Sequence, residues 1–117
     1  MRVLVVEDEA TQREILSEYL RREGHEPQAV PDGNAGLEEF RSGSYDLVVT
    51  DRAMPEMDGV ALAEGVKETS PETPVILVTG FGEMMDAAGE KPNAVDIVLS
   101  KPLTLDGLRD AIAKITD

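Results

Sequence analysis

Acidic side chains follow two of the most apolar stretches of the chain. Glu7, Asp8 and Glu9 stand together directly after one aliphatic run. Asp51 comes just after another. Carboxylate oxygens with no His or Cys nearby are typical ligands of Mg²⁺ or Mn²⁺ rather than Zn²⁺. A carboxylate beside such a cation can attack a phosphoryl group whose oxygens the metal also binds, so Asp51 is the candidate nucleophile.

Two further polar residues end aliphatic runs later in the chain, Thr79 and Lys101. The Lys101 ammonium can neutralise a second phosphoryl oxygen, and the Thr79 hydroxyl can donate a hydrogen bond to a third. Each residue also has a structural explanation: Asp51 could cap a turn, Lys101 could be a solvated charge, and Thr79 could be an ordinary strand residue. Their joint occurrence at strand ends favours a phosphoryl site.

Short runs rich in Val and Ile predict the strands that position these residues. The runs are continuous rather than alternating, which is typical of parallel strands covered on both faces. They comprise residues 3–6, 47–49, 75–78 and 97–99. A weaker run, residues 28–30, lies between Pro27 and Pro31, and flanking prolines favour an edge strand.

Between these runs, the apolar residues have helical spacing, which predicts a helix after each strand. Thr11 and Glu14 have the spacing of a capping box at the start of the first helix. Later helices are predicted over residues 32–41, 58–69 and 104–115, and a poor one over 82–92, which contains Gly89 and ends at Pro92.

Five strand-then-helix repeats predict an α/β fold with helices on both faces of a parallel sheet. Of the common doubly wound sheets, the flavodoxin-like order 2-1-3-4-5 suits this length. Strands one and three are then neighbours, and ligands bind beyond their carboxyl ends. Neighbouring strands lie about 4.8 Å apart, so Asp51 can share one cation with Glu7 and Asp8.

Composition narrows the class of protein. The 117 residues predict one domain over 1–117, and the absence of Cys excludes disulfides and thiolate chemistry. The net charge of −13 argues against direct binding to nucleic acid or anionic lipid. No apolar run approaches the roughly 20 residues of a membrane span, and no export signal is visible, so we expect a cytoplasmic protein.

Four motifs together resemble the receiver domain family of two-component signalling, the CheY-like proteins, over essentially the whole chain. They are VLVVEDE at residues 3–9, DRAMPEMDG at 51–59, VTG at 78–80 and KP at 101–102. The resemblance implies that Asp51 is the phosphoacceptor and that Asp8 and Asp51 ligate Mg²⁺ directly. It further implies that Glu7 acts mainly through metal-bound water and that the Ala53 backbone carbonyl is another ligand.

The resemblance also implies that Thr79 shifts toward the phosphoryl group on activation, that Lys101 pairs with that group, and that the Lys101-Pro102 bond is cis. The sequence departs from the family at Glu7, where many members have Asp. It also has Val98 at the position, three residues before the Lys, that commonly holds an aromatic switch residue. Phe81 is open to two interpretations, covering the site or packing against a helix.

The leading hypothesis is a phosphoacceptor switch rather than an enzyme with a substrate of its own. His25 is predicted in a turn far from the acidic edge, so the donor is a sensor histidine kinase, a histidine phosphotransfer domain or a small acyl phosphate. Residues 79–82 and 99–103 are similar to receivers fused to hybrid kinases. We expect a monomer or weak dimer, either a single-domain regulator or a part of a longer chain.

Three other classes of function fit the residues less well. A phosphohydrolase of the haloacid dehalogenase type would need a second Asp where Ala53 stands. A nucleotide or flavin binder would need a phosphate-binding loop in place of Glu7, Asp8 and Glu9. An interaction module that is never phosphorylated would have no use for the complete set of site residues.

Overall fold

The computed structural model describes residues 1–80 and 91–116. Its elements, in chain order, are β1 (Arg2–Val6), α1 (Ala10–Arg22), β2 (Glu26–Val30), α2 (Gly33–Ser42), β3 (Leu47–Asp51), α3 (Gly59–Thr69), β4 (Val75–Thr79), β5 (Ile97–Ser100) and α4 (Leu105–Thr116). The five strands are parallel and lie in the order β2-β1-β3-β4-β5. The predicted fold class and strand order are therefore confirmed. The helix predicted over 82–92 lies, but for its last two residues, outside the described residues.

Apolar side chains cover both faces of the sheet, because successive residues of a strand point to opposite sides. Leu4 and Val6 of β1 belong to a core with residues of α2 and α3. Val3 and Val5 belong to a second core with residues of α1 and α4. Every residue of β3 and β4 is buried, as expected for central parallel strands. The expectation that one domain spans residues 1–117 stays a prediction.

The first helix begins differently from the prediction. The Thr11 capping box is wrong, because α1 starts at Ala10 and its N-cap is Glu9. The Glu9 carboxylate accepts hydrogen bonds from the backbone N–H groups of Thr11 at 3.1 Å and Gln12 at 2.9 Å. A carboxylate satisfies these otherwise unpaired N–H groups as a hydroxyl would, and its charge suits the positive end of the helix dipole.

The next two helices begin where their sequence signals indicate. Asp32 caps α2 by accepting from the Ala35 N–H at 2.7 Å, and Asp58 caps α3 by accepting from the Ala61 N–H at 2.8 Å. β2 is an edge strand as predicted, although Pro27 lies within it rather than before it. Within residues 1–80 and 91–116, no helix is both long and apolar enough to cross a bilayer.

Candidate functional site

The carboxyl ends of four neighbouring strands bring the predicted site residues to one edge of the sheet. In β3, Asp51 is the last residue and pairs in register with Val78 of β4. Thr79 ends β4 beside Ser100 of β5, which directly precedes Lys101. Glu7 and Asp8 directly follow β1, and the strand β1 lies next to β3 in the sheet.

Three carboxylates converge at this edge. Glu7, Asp8 and Asp51 each offer an oxygen, and these oxygens all lie within 4.8 Å of one another. The side chains of Glu7 and Asp51 are buried, whereas Asp8 is exposed. Burial raises the pKa of Glu7 above its ordinary value, and the neighbouring Asp51 charge raises it further. The cluster therefore resists carrying its full negative charge without a cation.

Lys101 supplies one compensating charge. Its ammonium nitrogen lies 2.8 Å from Asp51 Oδ1 and 3.6 Å from Glu7 Oε1. Partial burial by itself would lower the pKa of Lys101, but pairing with Asp51 and then with Glu7 raises it above its ordinary value. Lys101 is thus a cation under all ordinary conditions, and its charge is directed at the phosphoacceptor candidate.

The arrangement suits a hard divalent cation. Asp51 Oδ1 is fully buried, and although the Lys101 ammonium lies at ion-pair distance, no hydrogen bond of good geometry reaches this oxygen from the described residues. A buried oxygen in that state has lone pairs left for another positive ligand. The other nearby donors are the oxygens of Glu7 and Asp8, which Mg²⁺ prefers over softer ligands.

The loop after β1 is held by contacts that the sequence did not predict. Arg13 of α1 donates from its guanidinium to the backbone carbonyl of Glu7 at 2.9 Å. The Glu9 N–H lies 3.3 Å from Glu7 Oε2, and the Glu7 N–H donates to the Val30 carbonyl at 3.2 Å. Arg13 lies within α1, six residues beyond Glu7, so this contact joins the helix to the loop before it.

The remaining predicted residues lie around this cluster or outside the described residues. Thr79 is buried at the end of β4, while Ala53 is exposed in the loop after β3. The Lys101-Pro102 bond is cis, as the resemblance implies. Val98 is partly buried and packs against the core under α2 and α3, and Phe81 lies outside the described residues. The catalytic and metal-binding roles of all these residues stay predictions.

The family of the chain follows from comparison with known proteins. The sequence model described as the response regulator receiver domain matches residues 3–113. The chain belongs to this family. A receiver domain is a signalling switch of two-component systems, and this membership gives the phosphohydrolase hypothesis no support.

Individual relatives agree with the family. Transcriptional regulatory protein RprY of Bacteroides fragilis is 33% identical over 115 residues, which are 98% of this chain and 49% of that protein. The response regulator TrrA of Thermotoga maritima, solved in complex with Mg²⁺-BeF, is 32% identical with a TM-score of 0.88, covering 97% of both chains. A receiver domain protein of Clostridium thermocellum is 29% identical with a TM-score of 0.87, covering 97% of this chain and 92% of its own. The receiver domain thus spans about half the length of curated relatives such as RprY.

Proposed function

We propose that this receiver domain accepts a phosphoryl group on Asp51, in a Mg²⁺-dependent reaction, and thereby switches its interactions with partner proteins. The observation that carries the proposal is the convergence of Glu7, Asp8 and Asp51 with the Lys101 ammonium at the carboxyl end of the sheet. The Mg²⁺-BeF complex of TrrA supports the choice of metal. Mn²⁺, which accepts the same oxygen ligands, is an alternative cation.

The site residues would have separate roles in metal binding and in phosphoryl transfer. Asp8, Asp51 and the Ala53 carbonyl would hold the metal directly, with Glu7 acting mainly through bound water. A metal held there would neutralise charge on the phosphoryl oxygens and so favour attack by the Asp51 carboxylate. A carboxylate oxygen of Asp51 forms the new O–P bond, while the P–N bond of the donor breaks and its electron pair returns to the donor imidazole.

Lys101 and Thr79 would act on the remaining phosphoryl oxygens. The Lys101 ammonium already faces Asp51, so little reorganisation is needed to place it on an oxygen of the incoming group. Thr79 would donate its hydroxyl to a third oxygen and shift toward the group, which changes the surface around Thr79. The domain would catalyse only its own phosphorylation and slow dephosphorylation.

The donor is proposed to be a sensor histidine kinase or a histidine phosphotransfer domain, either of them free-standing or within a hybrid kinase, and the reaction is placed in the cytoplasm. His25 does not fit an internal donor, because it directly precedes β2 at the amino end of the sheet, opposite the carboxylates. Its Nδ1 lies 3.1 Å from the amino nitrogen of Met1.

Because the net charge of the chain is negative, we expect that this domain itself does not contact nucleic acid.

The decisive experiment measures a covalent adduct. The protein is incubated with acetyl phosphate and Mg²⁺, and separately with a phosphohistidine donor, and intact mass spectrometry follows the addition of one phosphoryl group. We expect the adduct to require Mg²⁺, to be lost with EDTA and to be absent in Asp51→Asn.

Two controls make the result specific. Asp46→Asn changes a carboxylate at the amino end of β3, where Asp46 accepts from the Arg2 N–H at 2.9 Å, and should leave the adduct unchanged. An adduct that survives Asp51→Asn, or that forms equally in EDTA, would overturn the proposal. Sustained turnover of a phosphate ester would favour the phosphohydrolase instead.

A further inference from the structure

The peptide group that follows the phosphoacceptor candidate is held at both of its polar ends. The Asp51 carbonyl oxygen accepts a hydrogen bond from the Thr50 hydroxyl at 2.9 Å. On the other side of the same peptide, the Arg52 N–H donates to the Val78 carbonyl of β4 at 2.9 Å. The Asp51-Arg52 peptide therefore has little freedom to rotate, because rotation would break one or both bonds.

The first residue of α3 lies against this peptide. A Cβ on Gly59 would collide with the Asp51 carbonyl oxygen and would lie 2.6 Å from Leu77 Cδ1. The Gly59 N–H donates to the Arg52 carbonyl at 2.9 Å. Helix α3 is thus seated directly on the backbone of the candidate phosphoacceptor, and the Thr50 hydroxyl satisfies the carbonyl from within β3.

Thr50 is an unusual residue for its position. It is fully buried in a strand whose preceding residues are Leu47, Val48 and Val49, and its side chain faces the core under α2 and α3 as Val48 does. A buried hydroxyl costs free energy unless it is hydrogen-bonded, so Val would suit a purely structural position better. The hydroxyl donates to one acceptor, the carbonyl of Asp51.

We propose that Thr50 is a positioning residue for phosphoryl transfer, an inference that rests on the proposed role of Asp51. The Asp51-Arg52 peptide lies between the Asp51 side chain and the Ala53 carbonyl, the two proposed metal ligands from this segment. Its orientation sets the distance between them and the direction of the carboxylate. Thr50 acts through that peptide, with no contact to the phosphoryl group.

The test removes the donor while keeping the shape of the side chain. Thr50→Val replaces the hydroxyl with a methyl group, and Thr50→Ser keeps the hydroxyl. The initial rate of adduct formation is measured against acetyl phosphate concentration at saturating Mg²⁺. Since small misplacements of reacting groups cost up to about 100-fold, we expect Thr50→Val to lower the maximal rate by about tenfold or more. The acetyl phosphate concentration at half-maximal rate should change little, and Thr50→Ser should restore most of the rate.

Two further variants separate positioning from stability. Val48→Ala removes buried methyl groups from the same strand and the same face, so it should destabilise the fold while leaving the maximal rate of the folded protein unchanged. Thr50→Ala, which cannot overpack the site, gives the same rate test if Thr50→Val does not fold.

The outcomes distinguish this inference from the proposed function. If Thr50→Val or Thr50→Ala loses stability but keeps the wild-type maximal rate, Thr50 is structural and the inference is wrong. The inference is equally wrong if Thr50→Ser is as slow as the variants without a hydroxyl. If the wild-type protein forms no adduct at all, the proposed function itself fails.

Discussion

The two ends of the sheet carry polar clusters whose charges are compensated differently. At the amino end, the Lys67 ammonium lies 2.8 Å from Asp96 Oδ2 and donates to the Thr73 carbonyl at 2.8 Å. The same Asp96 oxygen accepts from the Val75 N–H at 2.8 Å. Although partial burial would raise the pKa of Asp96, these hydrogen bonds outweigh it and hold the pKa below its ordinary value.

At the carboxyl end the balance is reversed. Lys101 pairs with Asp51 and Glu7, two of the three carboxylates that converge there. The pKa of Glu7 is raised by burial and by the Asp51 charge, and a buried oxygen of Asp51 accepts no hydrogen bond of good geometry from the described residues. The amino-end cluster stabilises the fold as it stands. In the carboxyl-end cluster, repulsion among the carboxylates remains until a cation binds, which is typical of a binding site.

The largest effect expected from this contrast is stabilisation by metal. Mg²⁺ at about one hundred times its Kd should raise the free energy of unfolding by about 2.7 kcal/mol. The measurement is urea unfolding followed by circular dichroism, with Mg²⁺ and with EDTA. Asp8→Asn should lose most of the gain because it removes one of the proposed ligands. An equal gain in Asp8→Asn would show that the metal binds elsewhere.

A smaller effect is expected at the amino end, where Lys67→Met should destabilise the protein by about 1.5 kcal/mol. This is the low end for hydrogen bonds to charged groups, because the Lys67 and Asp96 side chains are 22% and 40% exposed and solvent screens the pair. Urea unfolding measures the loss, and the rate of adduct formation should not change. Lys114→Met, an exposed substitution on α4, is the control. If Lys67→Met is as stable as the control, the amino-end cluster does not stabilise the fold and the contrast between the two ends is wrong.

The smallest effect should have the opposite sign. Because the pKa of Glu7 is higher in the fold than in the unfolded chain, its stabilising contribution is complete below its ordinary pKa and is lost as the pH rises through the folded value. Glu7→Gln should therefore stabilise the metal-free protein at neutral pH, and Lys101, which offsets part of the repulsion, keeps this gain small.

The test of Glu7 is the free energy of unfolding measured over a series of pH values. The gap between Glu7→Gln and wild type in EDTA should close as the pH falls below the ordinary pKa of glutamate. Glu68→Gln, which changes an exposed carboxylate on α3 away from the site, serves as the control for the general effect of removing one acid. A gap that stays constant with pH, or a variant that is less stable at neutral pH, would argue against repulsion within the cluster.

Much of the fold and the site could be predicted because the relevant signals are local. Continuous Val-rich runs identified the strands, and the rule that ligands bind at the carboxyl ends of parallel strands brought Asp51 to Glu7 and Asp8. The predicted start of α1 was wrong because Thr11 matched a local capping template. Instead, the Glu9 carboxylate accepts from the Thr11 and Gln12 N–H groups, and the helix begins at Ala10.

The supporting contacts could not be predicted, since they depend on how elements pack. Arg13 reaches the Glu7 carbonyl because α1 packs beside the loop that follows β1. Helix α3 packs against the Asp51 carbonyl so closely at Gly59 that a Cβ would collide with it. The position of a glycine in the sequence does not reveal such a contact. Thr50 gave only a weak signal, a hydroxyl at the end of an aliphatic run.

The sequence by itself determined the order of strands and helices, the edge at which the acids gather and the family to which the chain belongs. These follow from residue periodicity, from the connection rules of parallel sheets and from the spacing of motifs. The tertiary structure decided the distances among the carboxylates, the pairing of Lys101 with Asp51 and the fixed orientation of the Asp51-Arg52 peptide. Those quantities arise from close packing between residues far apart in the chain, where shifts of less than an ångström decide which contacts form.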